Sequence, residues 1–130
     1  MLLLDTSVLI DVERVSLPDE ALAFSTVTYS ELLFGIEAAA TETLRRERTT
    51  RMAWLRDTLE AEWLPFDTFA AESCARLAAR VALQRPRHAR SKDIMLAGHA
   101  AALGARIATL NPRDFELVSD FVEIVVPELR

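Results

Sequence analysis

Residues 2–7 read Leu2-Leu3-Leu4-Asp5-Thr6-Ser7, and this stretch decides the fold of the 130-residue chain. Three consecutive leucines are typical of a short strand that is buried on both faces, and such strands occur in parallel sheets. The polar residues that follow are those with which a helix commonly begins. A strand that passes directly into a helix indicates an α/β fold, in which helices cover a parallel sheet.

The rest of the chain continues this alternation. Further strands are predicted at 23–27, 63–66, 106–109 and 122–126, and helices at 28–40, 42–62, 69–84 and 92–103. Thr28 is expected to begin the first of these helices, and Thr68 is expected to cap the helix at 69–84. Ser91 is expected to cap the last, which ends at Gly104 in a left-handed conformation. The order predicts a single domain, residues 1–130, folded as an α/β sandwich around a mainly parallel sheet.

The composition excludes several classes of protein. With Cys74 as its only cysteine, the chain has neither an internal disulfide nor a cysteine-based zinc site. Its three glycines form neither of the common phosphate-binding patterns. No apolar run approaches the roughly 20 residues that a membrane span needs, so a cytoplasmic location is expected. The net charge of −5 argues against nucleic-acid binding by bulk charge alone.

Four acidic residues that are distant in sequence are expected to meet at one edge of the sheet. Helices that connect parallel strands begin at the carboxyl edge, where ligands bind. Asp5 and the pair Asn111 and Asp114 follow strands, whereas Glu31 and Asp93 lie in the first turns of helices. Crowded carboxylates suit a hard cation such as Mg²⁺ or Mn²⁺, which activates water and neutralises phosphate. That is the chemistry of phosphodiester hydrolysis.

Each acid also has a purely structural interpretation. The segment 28–31 fits a capping box, in which Glu31 only satisfies a backbone N–H group. Asp93 is placed to complement a helix dipole, and Asp114 to form an Asx turn. Asp5 has the weakest structural alternative, because it follows an apolar strand and has only the next few residues to cap.

Small residues are predicted to leave space beside two of these acids. Gly35 lies one helical turn after Glu31, and Ala97 lies one turn after Asp93. Gly98 is expected to widen the space beside Asp93.

Four segments resemble motifs of the PIN-domain ribonucleases, and more closely of the VapC-type toxins of bacterial toxin–antitoxin pairs. They are Leu2–Ile10, Ser30–Ile36, Asp93–Ala100 and Ala108–Phe115, which together span essentially the whole chain. The resemblance implies a PIN-like three-layer α/β/α sandwich. It also implies a Mg²⁺- or Mn²⁺-dependent endoribonuclease, in which water bound to the metal attacks an RNA phosphodiester bond.

The resemblance implies roles for individual residues. The metal site would comprise Asp5, Glu31, Asp93, Asn111 and Asp114. Many PIN domains carry an acid where this chain has Asn111, so the fourth ligand is either Asp114, directly or through water, or Asn111 itself. Three hydroxyl residues are expected to orient Asp5 and water: Thr6, Ser7 and Thr109.

The family also implies partners: an RNA substrate, a cognate VapB-like antitoxin and a second copy of the chain. The chain would then form a homodimer, and a heterotetramer or larger complex with the antitoxin.

The alternative is a degenerate PIN-like module that binds RNA or a protein without cleavage, an interpretation motivated by Asn111. A phospho-acceptor or phosphatase domain is disfavoured, because Asp5 lacks a D-x-D arrangement and Lys92, the only lysine, precedes a helix.

Basic residues form two groups that are candidates for binding RNA phosphates. The favoured group, just before Asp93, contains Arg87, Arg90 and Lys92, and Arg113 is a further candidate. The other group contains Arg45, Arg46, Arg48 and Arg51. It is equally well explained as a solvated helix face whose charges pair with nearby acids.

Overall fold

The computed structural model describes residues 1–130, and a five-stranded parallel sheet of strand order β4-β3-β1-β5-β6 forms its centre. The strands are β1 (Leu2–Leu4), β2 (Val15–Ser16), β3 (Leu22–Ser25), β4 (Trp63–Leu64), β5 (Arg106–Ala108), β6 (Ile124–Val125) and β7 (Glu128–Leu129). The remaining two, β2 and β7, form a separate antiparallel pair.

Five α-helices connect the strands: α1 (Thr6–Ile10), α2 (Thr26–Glu37), α3 (Glu42–Thr58), α4 (Thr68–Ala82) and α5 (Lys92–Leu103). Short 3-10 helices cover Val12–Arg14, Pro86–His88 and Pro112–Val118. No helix is both long enough and apolar enough to span a membrane.

Helices cover both faces of the sheet, because successive side chains of a strand point in opposite directions. Leu3 packs in one hydrophobic cluster with residues of α4 and α5. Leu2 and Leu4 pack in a second cluster with residues of α1, with Leu32 of α2 and with Leu55 of α3. This confirms the predicted three-layer α/β/α sandwich and explains why β1 is apolar throughout.

The register of the sheet brings two strand ends together. Leu4 of β1 lies opposite Ala108 of β5. The N–H group of Asp5 donates a 2.9 Å hydrogen bond to the Ala108 carbonyl. Asp5 and Thr109 therefore leave the sheet side by side at its carboxyl edge.

Two predicted helix starts were wrong. The helix expected from Thr28 begins at Thr26, because Ser25 Oγ accepts a 3.1 Å hydrogen bond from the N–H of Val27. Glu31 therefore lies in the second turn of α2, and its interpretation as part of a capping box was wrong. Likewise α4 is capped by Asp67, whose carboxylate accepts a 2.9 Å hydrogen bond from the N–H of Ala70.

Other differences concern the ends of elements. The helices α2, α3 and α4 all end earlier than predicted. The short strands β2 and β7 were not predicted. Ser91 caps α5 as expected, with its Oγ accepting a 3.3 Å hydrogen bond from Ile94, and Gly104 ends the helix at a φ of 65°.

Gly98 does not open space beside Asp93, and that prediction was wrong. A Cβ atom at Gly98 would lie only 2.5 Å from Cα of Cys74, which belongs to α4. The missing side chain instead allows α4 and α5 to pack closely against each other.

Candidate functional site

A cleft of about 370 Å³ opens at the carboxyl edge of the sheet, beyond β1 and β5. We call it the acid cleft. Its lining includes every residue of the predicted metal site, namely Asp5, Glu31, Asp93, Asn111 and Asp114. These residues come from four separate segments of the chain, so the fold brings together what the sequence separates. Thr6 and Ser7 line the same cleft.

Asp5 is the most rigidly held of the acids, with an exposed fraction of only 7%. The N–H of Thr6 donates a 2.8 Å hydrogen bond to its Oδ1. The hydroxyls of Ser7 and Thr109 donate to its Oδ2 at 2.9 and 2.7 Å. Three donors thus compensate the buried carboxylate and fix its orientation.

The same two hydroxyls extend this arrangement to the turn after β5. Ser7 Oγ accepts a 3.0 Å hydrogen bond from the N–H of Leu110, and Thr109 Oγ1 accepts one of 3.0 Å from the N–H of Asn111. The position of Asp5 is therefore coupled to the segment that carries Asn111. Thr6 is different, because its Oγ1 is buried and makes no hydrogen bond.

Asp93 experiences the charges of all three other acids. Burial and these charges together raise the pKa of Asp93 from 3.8 to about 6. Burial contributes most, followed by the charges of Asp114, Asp5 and Glu31, while the nearby His88 acts in the opposite direction. The carboxyl groups are thus close enough to hinder one another's ionisation.

Glu31 has a raised pKa for similar reasons. Burial is the largest cause, and the charge of Asp5 adds to it. Lys92, the first residue of α5, favours the charged form of Glu31. Lys92 therefore contributes a positive charge at the edge of the acid cleft.

The carboxylates line the cleft without converging on one point. No three His, Cys, Asp or Glu side chains are grouped closely enough to hold a metal ion in this arrangement. None of the salt bridges involves Glu31, Asp93 or Asp114. Acidic side chains that share a cleft without bound partners repel each other, which favours the entry of a cation.

The structure agrees with some of the structural interpretations of the acids and contradicts another. Asp93 is the second residue of α5, so it also lies where it complements the helix dipole. Asp114 lies within the 3-10 helix Pro112–Val118 and not in an Asx turn. Asp5 does cap the short helix α1 through its bond to Thr6, in addition to lining the cleft.

None of the four predicted RNA-binding residues lines the acid cleft. The charge of Lys92 reaches Glu31, and Lys92 Nζ lies 5.9 Å from the ring centroid of Phe34, which is exposed. Arg87 lines a separate surface depression with its neighbours in the 85–88 segment. The side chains of Arg90 and Arg113 are exposed.

Sequence reasoning missed one acid of the cleft. Asp11 follows α1 directly and lines the cleft together with Ile10. Its spacing from Asp5 could have indicated it only if the shortness of α1 had been predicted.

Comparison with known proteins is consistent with this geometry. Residues 2–120 match the family model described as PIN domain. Ribonuclease VapC5 of Mycobacterium tuberculosis is 38% identical over 111 residues, which cover 82% of this chain and 79% of that protein.

Solved structures give the same result. The fold matches the crystal structure of VapBC-5 from Mycobacterium tuberculosis, a member of the VapBC family of toxin–antitoxin systems, with a TM-score of 0.70, 30% identity and 95% of each chain covered. It also matches VapBC2 from Rickettsia felis, bound to a DNA fragment, with a TM-score of 0.75, 15% identity, and 98% and 100% of the two chains covered. The second match shows similarity of fold alone. With a family model that matches residues 2–120 and a VapC5 relative that is 38% identical, the chain belongs to the PIN domain family.

Proposed function

We propose that this chain is the ribonuclease toxin of a toxin–antitoxin pair, and that it hydrolyses RNA phosphodiester bonds with a divalent cation, Mg²⁺ or Mn²⁺, in the acid cleft. The observation that carries the proposal is that the four predicted acids, from four segments, meet together with Asp11 in one cleft at the carboxyl edge of a parallel sheet. The relative that is 38% identical is a ribonuclease, which supports RNA as the substrate.

The carboxylates of the acid cleft do not converge on one point, but the chemical type of its donor groups fits a hard divalent cation. The polar groups that line it are carboxylates, hydroxyls and an amide, and neither His nor Cys is among them. Oxygen ligands of this kind suit Mg²⁺ and Mn²⁺. The raised pKa of Asp93, caused by burial and by the neighbouring acids, indicates repulsion that a bound cation would relieve.

Asp114 is the better candidate for the fourth acid of the site. Among the neighbouring charges, that of Asp114 has the largest effect on the pKa of Asp93. Asn111 lines the same cleft and offers a neutral amide oxygen. We therefore assign Asp5, Glu31, Asp93 and Asp114 as the acidic ligands, with Asn111 beside them.

The chain itself orients the site. A bound cation supplies the activation of water and the neutralisation of phosphate charge. Thr6, Ser7 and Thr109 hold Asp5 in a fixed orientation, so little reorganisation of this carboxylate is needed. Lys92 favours the ionised form of Glu31 and offers a positive charge to a phosphate group.

The protein partner that we propose is an antitoxin. A VapBC toxin–antitoxin structure is 30% identical to this chain and covers 95% of it. A small protein that inserts a basic segment into the acid cleft would block it, since the cleft carries several uncompensated carboxylates. Homodimer formation, and a heterotetramer or larger complex with the antitoxin, stay predictions.

Cleavage of total bacterial RNA by the purified protein tests the catalytic proposal. We expect cleavage with Mg²⁺ or Mn²⁺, none with EDTA, and a strong loss in the Asp5→Asn and Asp93→Asn variants. Asp19→Asn is the matched control, because Asp19 is exposed and lies outside the cleft. Cleavage that persists in EDTA, or full activity in both cleft variants, contradicts the proposal. RNA binding without cleavage under all these conditions favours the degenerate module instead.

A further inference from the structure

A second groove continues from the acid cleft and runs between α2 and α3. Its volume is about 420 Å³, and it shares Thr6, Ile10 and Glu31 with the acid cleft. We call it the arginine groove, after the two guanidinium groups in its lining. The other residues that line it are Leu32, Gly35, Leu44, Glu47, Arg48, Arg51 and Met52. The two grooves therefore adjoin along these three residues.

The two arginines of this groove have no acidic partner. Arg51 is half-buried and makes neither a salt bridge nor a hydrogen bond. Arg48, also half-buried, donates a hydrogen bond to the carbonyl of Gly35 and forms no salt bridge. Glu47 lines the same groove but is not within salt-bridge distance of either guanidinium.

The other two half-buried arginines of the protein do have carboxylate partners. Arg45 lies beside Glu42 in the same helix, and Arg106 pairs with Glu20. A partly buried guanidinium without a carboxylate is costly, because part of its hydration is lost and nothing replaces it. An anion that enters the arginine groove would supply the missing partner.

We propose that the arginine groove is a phosphate-binding subsite for the RNA strand next to the cleaved bond, with Arg51 as its main contact and Arg48 as its second. The inference rests on the proposed function, because it assumes that the reacting phosphate lies in the acid cleft. A planar guanidinium matches the geometry of a phosphate group and binds it through two parallel hydrogen bonds.

RNA is a better occupant than a protein carboxylate because of where the groove lies. Glu31 and Thr6 form part of both walls, so the phosphate that follows the reacting one along the strand falls within reach of α3. The exposed side chain of Leu44 offers an apolar surface for the sugar and base. Arg51 and Arg48 balance the two acids of the lining, Glu31 and Glu47, so the groove is locally less acidic than the chain, whose net charge is −5.

The decisive measurement is the salt dependence of single-stranded RNA binding. A fluorescent single-stranded RNA is titrated with the full-length protein in the Asp93→Asn background, which limits cleavage, at several KCl concentrations. We expect Arg51→Gln to reduce the slope of log K against log salt by about 0.7, the value for one phosphate contact to a single strand. Arg51→Lys should restore most of the slope.

Arg46→Gln is the matched control, since Arg46 lies on the same helix, is exposed and does not line the groove. It should leave the slope unchanged. In the active protein, Arg51→Gln should raise KM for RNA about fivefold and leave kcat nearly unchanged, as expected for a contact that binds substrate and transition state alike. Thermal unfolding checks that each variant is folded.

The outcomes separate this proposal from the proposed function. If Arg51→Gln and Arg46→Gln give the same slope and the same KM, the proposal of a phosphate subsite is wrong. A protein carboxylate is then the expected occupant of the groove. If the protein binds RNA with an Arg51-dependent slope but never cleaves it, the subsite stands and the catalytic proposal fails. If cleavage is normal and Arg51→Gln has no effect, the catalytic proposal stands and the phosphate subsite fails.

Discussion

Thr109 Oγ1 donates a 2.7 Å hydrogen bond to Oδ2 of Asp5, a residue that lies 104 positions earlier in the chain. The bond exists because β1 and β5 are neighbours and the register sets Leu4 opposite Ala108. Thr109 is fully buried, and its hydroxyl also accepts a 3.0 Å hydrogen bond from the N–H of Asn111. One hydroxyl therefore joins the first acid of the cleft to the last turn that lines it.

Replacing Thr109 by Val removes this hydroxyl with little change in shape. Asp5 loses one of its three donors, and the N–H of Asn111 loses its acceptor, so we expect RNA cleavage to fall about 10- to 100-fold. The unpaired groups should also cost about 1–3 kcal/mol of unfolding free energy. Cleavage kinetics and urea unfolding measure the two effects. Thr109→Ser keeps the hydroxyl and should retain most of the activity; wild-type cleavage by the Val variant would show that the bond does not orient the site.

Replacing Asp93 by Asn should stabilise the metal-free protein. The folded-state pKa of Asp93, about 6, lies above its ordinary value of 3.8, so its carboxyl binds a proton more tightly in the folded state. The stability that this provides at low pH is lost as the pH rises from 3.8 to about 6. The advantage of Asp93→Asn over wild type should therefore grow between about pH 4 and pH 7 in thermal unfolding with EDTA.

Divalent cations should make wild type more stable than Asp93→Asn. Mg²⁺ or Mn²⁺ that binds the folded state raises the unfolding temperature of wild type, and Asp93→Asn should show little of this increase. Asp19→Asn, which leaves the acid cleft intact, should respond as wild type does. An equal increase in all three proteins would place the cation elsewhere on the molecule.

The meeting of the acids could be predicted from the sequence because it depends only on the order of strands and helices. Once β1 and β5 are recognised as parallel strands, the residues that follow them lie at the same edge, whatever the details of packing. Asp93 was placed there by the same reasoning, since α5 leads into β5. This argument needs no knowledge of side-chain contacts.

The start of α2 could not be predicted in this way. Ser25 and Thr28 are both good N-cap residues, and the choice between them depends on where β3 stops pairing with its neighbour. That pairing ends at Ser25, which lies opposite Leu64 of β4. The sequence named Arg51 as one of four candidate arginines but could not single it out, because its surroundings depend on how α3 packs against α2.

His99 should make the stability of the protein fall at acidic pH. It is a buried residue of α5, its Nδ1 is 2.8 Å from Ser25 Oγ, and its ring contacts Phe66 edge-on. Burial lowers the pKa of His99 below 6.5, against a weaker opposing effect of Asp67. The unfolded chain therefore takes up a proton that the folded one does not, and stability is lost as the pH falls below 6.5.

Urea unfolding of wild type and His99→Asn at several pH values tests this prediction. Asn keeps a polar group to pair with Ser25 but does not titrate, so its unfolding free energy should vary less with pH between about 7 and 5. Parallel pH curves for the two proteins would mean that His99 titrates with the same pKa in the folded and unfolded states.

Gly98 should be the least replaceable glycine of the helices. A Cβ atom there would lie 2.5 to 2.7 Å from the N, Cα and Cβ atoms of Cys74, so α4 and α5 must move apart to accept it. We expect Gly98→Ala to lower the unfolding free energy by about 3 kcal/mol, whereas a Gly→Ala change in a helix normally raises it by roughly 1 kcal/mol. Because α5 carries Asp93, the same shift should weaken cleavage.

Gly35→Ala is the control, since its nearest neighbour would be Arg48 Nη1 at 3.9 Å, an ordinary contact. It should be neutral or stabilising, and equal stability of the two variants in urea would mean that the helices separate at no cost.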